Sequence, residues 1–256
     1  MTVEPDLVEG DIELDGRVMQ ASNATFVGAI GDVRVVYKPV AGEQPLWDFP
    51  DGNLARREVA AFAVSEAFGW DVVPRTWLRD GPLGTGMVQL WQDVDPAQDA
   101  VDLVASSAVP DEGWRHVFDG YDGQDRPVSL IHEDSPELRR MAVFDIVTNN
   151  ADRKGGHVLE MVGGHRYGID HGLTFHAEHK LRTVLWGWVG ENLDADELAG
   201  VERVRVALTG NLGAALGELL TSLELGAFAA RCDRLLDSCR FPRPRGEMPA
   251  IPWPPF

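Results

Sequence analysis

Asn150-Ala151-Asp152-Arg153-Lys154-Gly155-Gly156-His157, followed by Gly168-Ile169-Asp170-His171-Gly172, is the part of this sequence that decides its reading. Upstream, Ser135-Pro136-Glu137 has the form of a helix start, with serine as N-cap and proline at the first helical position. A helix over 137–147 is therefore predicted to run into the first stretch. Asp152 then stands in a polar loop after a buried helix, where a carboxylate can accept the proton of an attacking hydroxyl. A plain turn explains the glycines but not the density of polar side chains. In the second stretch a short strand ends on an isolated carboxylate, Asp170, before a loop glycine. One Asp in that setting can hold a divalent metal that bridges phosphates. The 18 residues between the two acids leave room for one hairpin, with strands near 157–162 and 166–169 and Gly163-Gly164 as its turn. Both acids can then point into one cleft.

Toward the N-terminus the pattern is strands, one helix, then strands. Asp11-Ile12-Glu13-Leu14 alternates polar and apolar before Gly16 breaks it, and Val33-Arg34-Val35-Val36-Tyr37-Lys38 is β-branched after a Gly31-Asp32 turn. A turn-rich insert fills 41–52. Residues 54–68 are helix formers ending at Gly69. Strands over 72–78 and 86–91 are joined by Gly81-Pro82-Leu83-Gly84. Lys38 ends a buried-looking strand, a costly place for an ammonium without a partner; the plainer alternative is an edge-strand lysine reaching water. Glu58 lies 20 residues later in the helix. A strand lysine paired with a helix glutamate is how kinases fix a cation over the α- and β-phosphates. The plainer alternative for Glu58 is a solvated helix face beside Arg56 and Arg57. Each signal is common alone; Lys38, Glu58, Asp152 and Asp170 in this order are not.

Downstream, residues 93–134 are rich in Asp, Gly and Pro and are expected to be irregular with short helices. After Phe175 helical pieces are predicted near 178–190, 194–208, 212–221 and 223–239. Six prolines in 241–256 predict an extended tail that drapes over the body or frays. The chain is thus α+β: a sheet-rich part over 1–92, a largely helical part over 93–240 and a Pro-rich tail over 241–256. Its 256 residues carry a net charge of −18, which argues against nucleic acid as a partner. An acidic protein that binds a nucleotide triphosphate needs a concentrated cationic site and a divalent metal. No apolar run is long enough for a membrane span, and the N-terminus lacks the features of a signal peptide, so the cytoplasm is the expected compartment. Cys232 and Cys239, too far apart along one helix for a disulfide, read as buried structural residues.

Other residues carry weaker signals. A zinc site built from His171, His176 and His179 ranks below an activation-segment role for that stretch. Lys180 and Arg182 could meet an anionic substrate or lie on a solvated helix face. Trp186 and Trp188 read as core, and Asp145 as a structural residue bonding loop backbone. No glycine-rich phosphate fingerprint occurs, and the acids of 119–125 lack the rest of a calcium loop.

Asn-x-Asp-Arg followed by Ile-Asp-x-Gly resembles the catalytic and metal-binding loops of the phosphoinositide 3/4-kinase-like superfamily, to which HipA-type kinases have a related layout. More narrowly, the chain is similar to a bacterial, mainly actinobacterial, branch of it, over about residues 9–190. The resemblance implies a two-lobed protein-kinase-like fold, with a small antiparallel-sheet N-lobe holding one main helix and a mostly helical C-lobe. It implies ATP, with Mg²⁺ or Mn²⁺, and transfer of the γ-phosphate to an unidentified hydroxyl of a protein, lipid head group or small alcohol. A non-catalytic ATP-binding regulator and an AMP transferase are the alternatives. By position, Ser22, Asn23 and Thr25 would sit at a hairpin tip over the phosphates, Lys38 would contact phosphates and Glu58 orient it. Gln89, Leu90 and Trp91 would border the adenine, Asp152 would be the catalytic-loop acid and Asp170 the metal acid. Two positions depart from the pattern: Lys154 replaces a histidine, and His157 replaces the asparagine expected as second metal ligand. Imidazole suits Mn²⁺ better than Mg²⁺; the alternatives are that a single metal suffices or that His157 does something else, such as steadying a phosphate.

Overall fold

The computed structural model describes residues 6–256 apart from 19–22, 45, 47, 48, 50–52 and 247. Alternation along Val33–Pro39 sets the first lobe. Val35 and Tyr37 point to one face and join Ile12, Ile30 and Val88 in a small apolar cluster, while Lys38 points to the other. Strands β1 (Glu13–Arg17), β2 (Phe26–Ile30), β3 (Val33–Pro39), β4 (Thr76–Gly81) and β5 (Gly84–Leu90) form an antiparallel sheet in the order β1-β2-β3-β5-β4. Gly31-Asp32 turns β2 into β3, as the sequence predicts. Gly16 does not end β1; the register shifts between Leu14 and Gly16, so the strand continues through a bulge. At Gly86 a Cβ would meet the Lys38 carbonyl oxygen at 2.6 Å, so only glycine lets β5 lie this close to the strand that carries the lysine.

Helix α1 (Leu54–Phe68) packs on the Lys38 face. It stops at Gly69, whose φ of 69° and N–H bonds to the Ser65 and Glu66 carbonyls make an αL cap. Its start is capped from a distance. The Glu43 carboxylate accepts the N–H groups of Leu54 (3.1 Å) and Ala55 (2.8 Å), taking two of the orphan donors of the first turn.

The second lobe is not as irregular at its start as the composition suggests. Strands β6 (Val101–Ala105), β7 (Trp114–Tyr121) and β8 (Pro127–Glu133) form an antiparallel sheet in the order β6-β8-β7. The acids that make 93–134 look loop-like lie within these strands (Asp102, Asp119, Glu133) as well as between them, where Asp122 accepts the N–H groups of Gln124 and Arg126 and fixes the β7–β8 turn. Helix α2 (Pro136–Thr148) follows, N-capped by the Ser135 hydroxyl on the Leu138 N–H. The hairpin β9 (Val158–Glu160) and β10 (Arg166–Gly168) comes next, then α3 (Ala195–Ala207), α4 (Asn211–Gly217) and α5 (Ser222–Ser238). Capping boxes at Asp194/Glu197 and Thr221/Glu224 start α3 and α5.

The helix expected over 178–190 does not form. That segment instead bonds to the tail: the Ala250 carbonyl accepts from the Thr183 N–H (3.0 Å) and the Trp186 indole (2.9 Å), and the Pro249 carbonyl accepts from Arg182 (3.1 Å). The proline-rich tail drapes rather than frays. Its Pro255 carbonyl accepts the Gly155 N–H at 2.8 Å and the Phe256 ring covers Gly155. Trp186 and Trp188 are buried as expected, and α1, α2, α3 and α5 share one apolar core around Trp188, Phe144 and Phe228. Cys232 is in that core, where burial pushes its thiol up to about 12, but Cys239 is exposed at the αL cap of α5; neither is in a disulfide. No described helix is long and apolar enough to cross a membrane.

His132 is fully buried in β8, with Nδ1 on the Glu133 carbonyl (2.8 Å) and Nε2 accepting from the Gly187 N–H (3.0 Å), an arrangement that needs the neutral ring. Burial pushes it down to about 4. The unfolded chain takes up this proton first, so stability is lost as pH falls from about 6.5 toward 4, by about 3 kcal/mol in all. Urea unfolding of wild type and His132→Gln at pH 7 and pH 4.5 should show the larger loss in wild type. Equal losses would remove His132 as the cause.

Candidate active site

Arg153 organises the segment that carries the candidate acids. Its side chain is fully buried and makes a bidentate pair with Asp145 of α2, both N–O distances being 2.9 Å. Its remaining donors reach the carbonyls of His157 (3.0 Å) and Ile169 (3.2 Å) and the His171 ring (2.7 Å). One guanidinium thus ties α2, the 150–157 loop and the 169–171 turn together. Asn150 adds a bond to Asp145 (2.9 Å). Asp145 is structural, as the sequence suggests, but its carboxylate bonds the Arg153 and Asn150 side chains; the loop backbone, through the Asn150 N–H, meets only the Asp145 carbonyl (3.0 Å). A Cβ at Gly168 would lie 2.8 Å from the guanidinium, so the glycine before Ile169-Asp170 is room for Arg153. Asp170 itself takes φ 61°, a left-handed conformation that Asp tolerates better than most residues.

Lys38 meets this loop from the other lobe. Its ammonium lies 2.7 Å from Glu58 Oε1 and 2.6 Å from Asp170 Oδ1. The second Glu58 oxygen accepts the His171 N–H at 2.9 Å. Glu58 is buried in α1, not solvated, and its neighbour Arg57 is buried as well, paired with Glu224 and bonded to the Thr174 carbonyl. Burial alone would lower the Lys38 pKa, but the charges of Asp170 and Glu58 outweigh it and raise the pKa above the usual lysine value. Lys38 in turn holds the Asp170 carboxyl well below the usual carboxylate range. Burial pushes Glu58 up, against the pull of Lys38. The ammonium is fixed, charged and shared between the lobes.

Asp152 and Asp170 line one cavity together with Lys38, Glu58 and Asn23. Burial raises the Asp152 carboxyl, against the effect of Lys154, whose ammonium is 3.5 Å away. His157 stands between the two acids. Its Nδ1 donates to the Asp152 carbonyl (2.9 Å), which leaves the Nε2 lone pair facing Asp170 Oδ2 at 3.4 Å. Burial favours this neutral ring. A lone pair and a carboxylate oxygen converging without a donor between them suit a cation. A backbone carbonyl on the far ring nitrogen is also the usual support for a metal-binding histidine. No described group of three or more Cys, His, Asp or Glu side chains gathers to hold a metal, so this pair leaves most coordination positions to other ligands.

Of the remaining predicted positions that are described, Asn23 lines the cavity and the others lie away from it. Ser22 lies outside the described residues. Asn23 lines the cavity and accepts the Gln44 N–H (2.8 Å). Thr25 is buried, with its hydroxyl on the Asn23 carbonyl (3.4 Å). Gln89 is buried and donates to Thr76 (2.8 Å). Trp91 carries Arg34 over its ring at 4.3 Å. Gln89, Leu90 and Trp91 do not line the cavity that holds the acids. The three clustered histidines do not converge: His171 serves Arg153, His176 packs edge-on against Phe49, and His179 bonds the Arg245 backbone. Arg182 is held by the tail, and Lys180 lies 3.6 Å from Glu178. Sequence reasoning missed Arg153 and Glu43. Asp145 and Arg153 sit on either side of the Asn149-Asn150 helix end, a charge pair that could have been sought there.

A five-stranded antiparallel sheet with one helix, joined to a lobe in which the acids lie on loops between α2 and a hairpin, is a two-lobed kinase-like fold of the α+β class. The solved Helicobacter pylori proinflammatory kinase CtkA shares it, with a TM-score of 0.51, 11% identity and coverage of 91% of this chain and 93% of that one. In sequence, the chain is 47% identical to protein Rv2133c of Mycobacterium tuberculosis over 100% of its length and 98% of the relative's, and it belongs to the family of that protein. No family model matches the chain.

Removing the Asp145 charge leaves Arg153 buried without its partner. Asp145→Asn is expected to cost roughly 3–5 kcal/mol in urea unfolding. A variant as stable as wild type would show that the pair is not what holds the loop.

Proposed function

We propose that the chain is an ATP-dependent phosphotransferase that moves the γ-phosphoryl group of ATP to an acceptor hydroxyl. The observation that carries this reading is Lys38, held at 2.6–2.7 Å by both Glu58 of one lobe and Asp170 of the other beside Asp152. That is a cation at the mouth of two carboxylate loops, on a fold shared with a kinase. The α- and β-phosphates would take Lys38 as counter-charge, and Glu58 keeps its ammonium aimed. Asp170 and His157 would hold Mg²⁺ or Mn²⁺; the imidazole favours Mn²⁺. A divalent cation held by these two side chains would supply positive charge to offset that of the phosphates. Asp152, whose carboxyl burial raises toward a useful base, would orient the acceptor and take its proton. The bond from phosphorus to the acceptor oxygen forms as the bond to ADP breaks, so charge neutralisation and positioning are the protein's main contributions. The acceptor would be a hydroxyl of a protein, a lipid head group or a small alcohol. A non-catalytic ATP-binding regulator is the second reading, favoured by the Lys154 ammonium beside Asp152.

A thermal-shift titration with ATP and Mg²⁺ or Mn²⁺ tests the site. Binding stabilises the folded state by mass action, so wild type should melt higher with nucleotide and metal together, and Lys38→Ala and Asp170→Ala should erase the rise. Asp152→Ala should keep the rise while losing about 10²–10⁴-fold in transfer. No rise in a folded wild-type protein would contradict nucleotide binding, and full transfer by Asp152→Ala would remove that residue from the chemistry.

A further inference from the structure

An overall charge of −18 makes any concentration of cations in this chain notable, and one exists away from the Lys38 cavity. A cleft of about 410 Å³ opens between α5, residues 179–181 and the start of the tail. Its rim carries Arg231, Arg234, Arg240, Arg243 and Arg245, with His179 among them. A smaller adjoining chamber shares Arg231, Arg234, Arg245 and His179. No described carboxylate lines either chamber, and neither shares a residue with the Lys38 cavity.

The cations here are not neutralised within the described chain. Arg231 is 7% exposed and has no carboxylate partner; Nε donates to the Val147 carbonyl (2.7 Å) and Nη1 to the His176 carbonyl (3.1 Å). Its Nη2, also buried, has no partner among the described residues. The side chains of Arg234, Arg243 and Arg245 make no hydrogen bond or ion pair with described residues and are exposed. Burial lowers the Arg231 pKa to about 10, so the group stays charged at neutral pH at a cost. An unpaired buried donor and clustered like charges are both unfavourable, and an anion relieves both at once. Guanidinium groups match phosphate oxygens in geometry as well as charge. Between the arginines the wall is apolar: Ile146, Leu181, Leu235 and Phe241. A bare phosphate would leave that wall uncovered.

We propose that this cleft is a second binding site, for a phosphate monoester that carries an apolar group. The phosphate would meet Arg231 Nη2, Arg234 and Arg245, and the apolar part would lie on the Ile146–Leu235 wall. Arg231 also joins the end of α2 to the segment that follows Asp170, so the ligand would brace the two stretches bearing Asp152 and Asp170. The site does not depend on the reading of the Lys38 cavity.

Calorimetric titration of the full chain with hexyl phosphate and with inorganic phosphate tests it. Three proteins are compared: wild type, Lys38→Ala, and Arg234→Gln combined with Arg245→Gln. The last two substitutions fall on exposed side chains, so the fold should persist. Hexyl phosphate should bind at least about tenfold tighter than inorganic phosphate, a difference of about 1.4 kcal/mol. Lys38→Ala should leave this unchanged, and the double variant should weaken it by about tenfold or more. Flotation with phosphatidylcholine vesicles containing phosphatidic acid separates the two sources of such a group. Co-flotation that the double variant loses assigns a membrane lipid; hexyl phosphate binding without co-flotation assigns a soluble metabolite. No binding, equal affinity for the two phosphates, or affinity that the double variant retains would overturn the proposal.

Discussion

The Arg153–Asp145 pair is the contact on which the geometry of the site depends. A guanidinium with no exposed surface must have all its charge and donors met internally, and the pair does so with a carboxylate, two carbonyls and an imidazole. Those partners belong to α2, the loop after it, and the turn after β10. Backbone bonds from the Ile169 N–H to the His157 carbonyl (3.0 Å) and from the Ala151 N–H to the Leu173 carbonyl (2.9 Å) add to this tie between the stretches that carry Asp152 and Asp170. Buried ion pairs add little net stability over an apolar replacement, yet losing one partner is costly. Such a pair therefore specifies one arrangement of its loops, which is what a site built on loops requires. Gly168 supports it by leaving the space that the guanidinium fills.

Lys38 extends that order across the lobes. Its ammonium is the link between α1 and the Asp170 turn, and Glu58 is tied to the same turn through the His171 N–H. Three charges, two negative and one positive, sit in a row facing a cavity, so the row is anionic by itself. A polyanion entering there needs a further cation, and His157 presents a lone pair toward Asp170 where one would fit. The helix end nearby is closed to anions, since the Glu43 carboxylate already takes the first free N–H groups of α1.

Much of this was legible in the chain, and the gaps have physical causes. The span of α1, its Gly69 stop, the Ser135 cap of α2 and the β9–β10 hairpin follow from local rules that few tertiary contacts override. The approach of Lys38 to Glu58 follows from strand-then-helix order. The β6–β8–β7 sheet is hidden because the acids within, between and beside its strands give 93–134 the composition of a loop. The stretch 178–190 has helix-forming residues, but its backbone and side-chain donors find better partners in the tail carbonyls of Pro249 and Ala250. The role of Arg153 is not legible locally, because its partners lie up to 18 residues away and meet only in the folded chain. The arginine cleft, assembled from α5 and the tail, is likewise a product of tertiary structure.

The measurement that tests the account most directly is which phosphorus of ATP leaves with the product. Purified protein is incubated with ATP labelled at the γ- or the α-phosphate, with Mg²⁺ or Mn²⁺, and its own hydroxyls or candidate alcohols as acceptors. The account predicts label transfer from the γ-position alone, with loss in Asp152→Ala and Asp170→Ala. Transfer of the α-label would contradict it in favour of nucleotidyl transfer, and metal-dependent ATP binding without transfer to any acceptor would contradict it in favour of a non-catalytic nucleotide sensor.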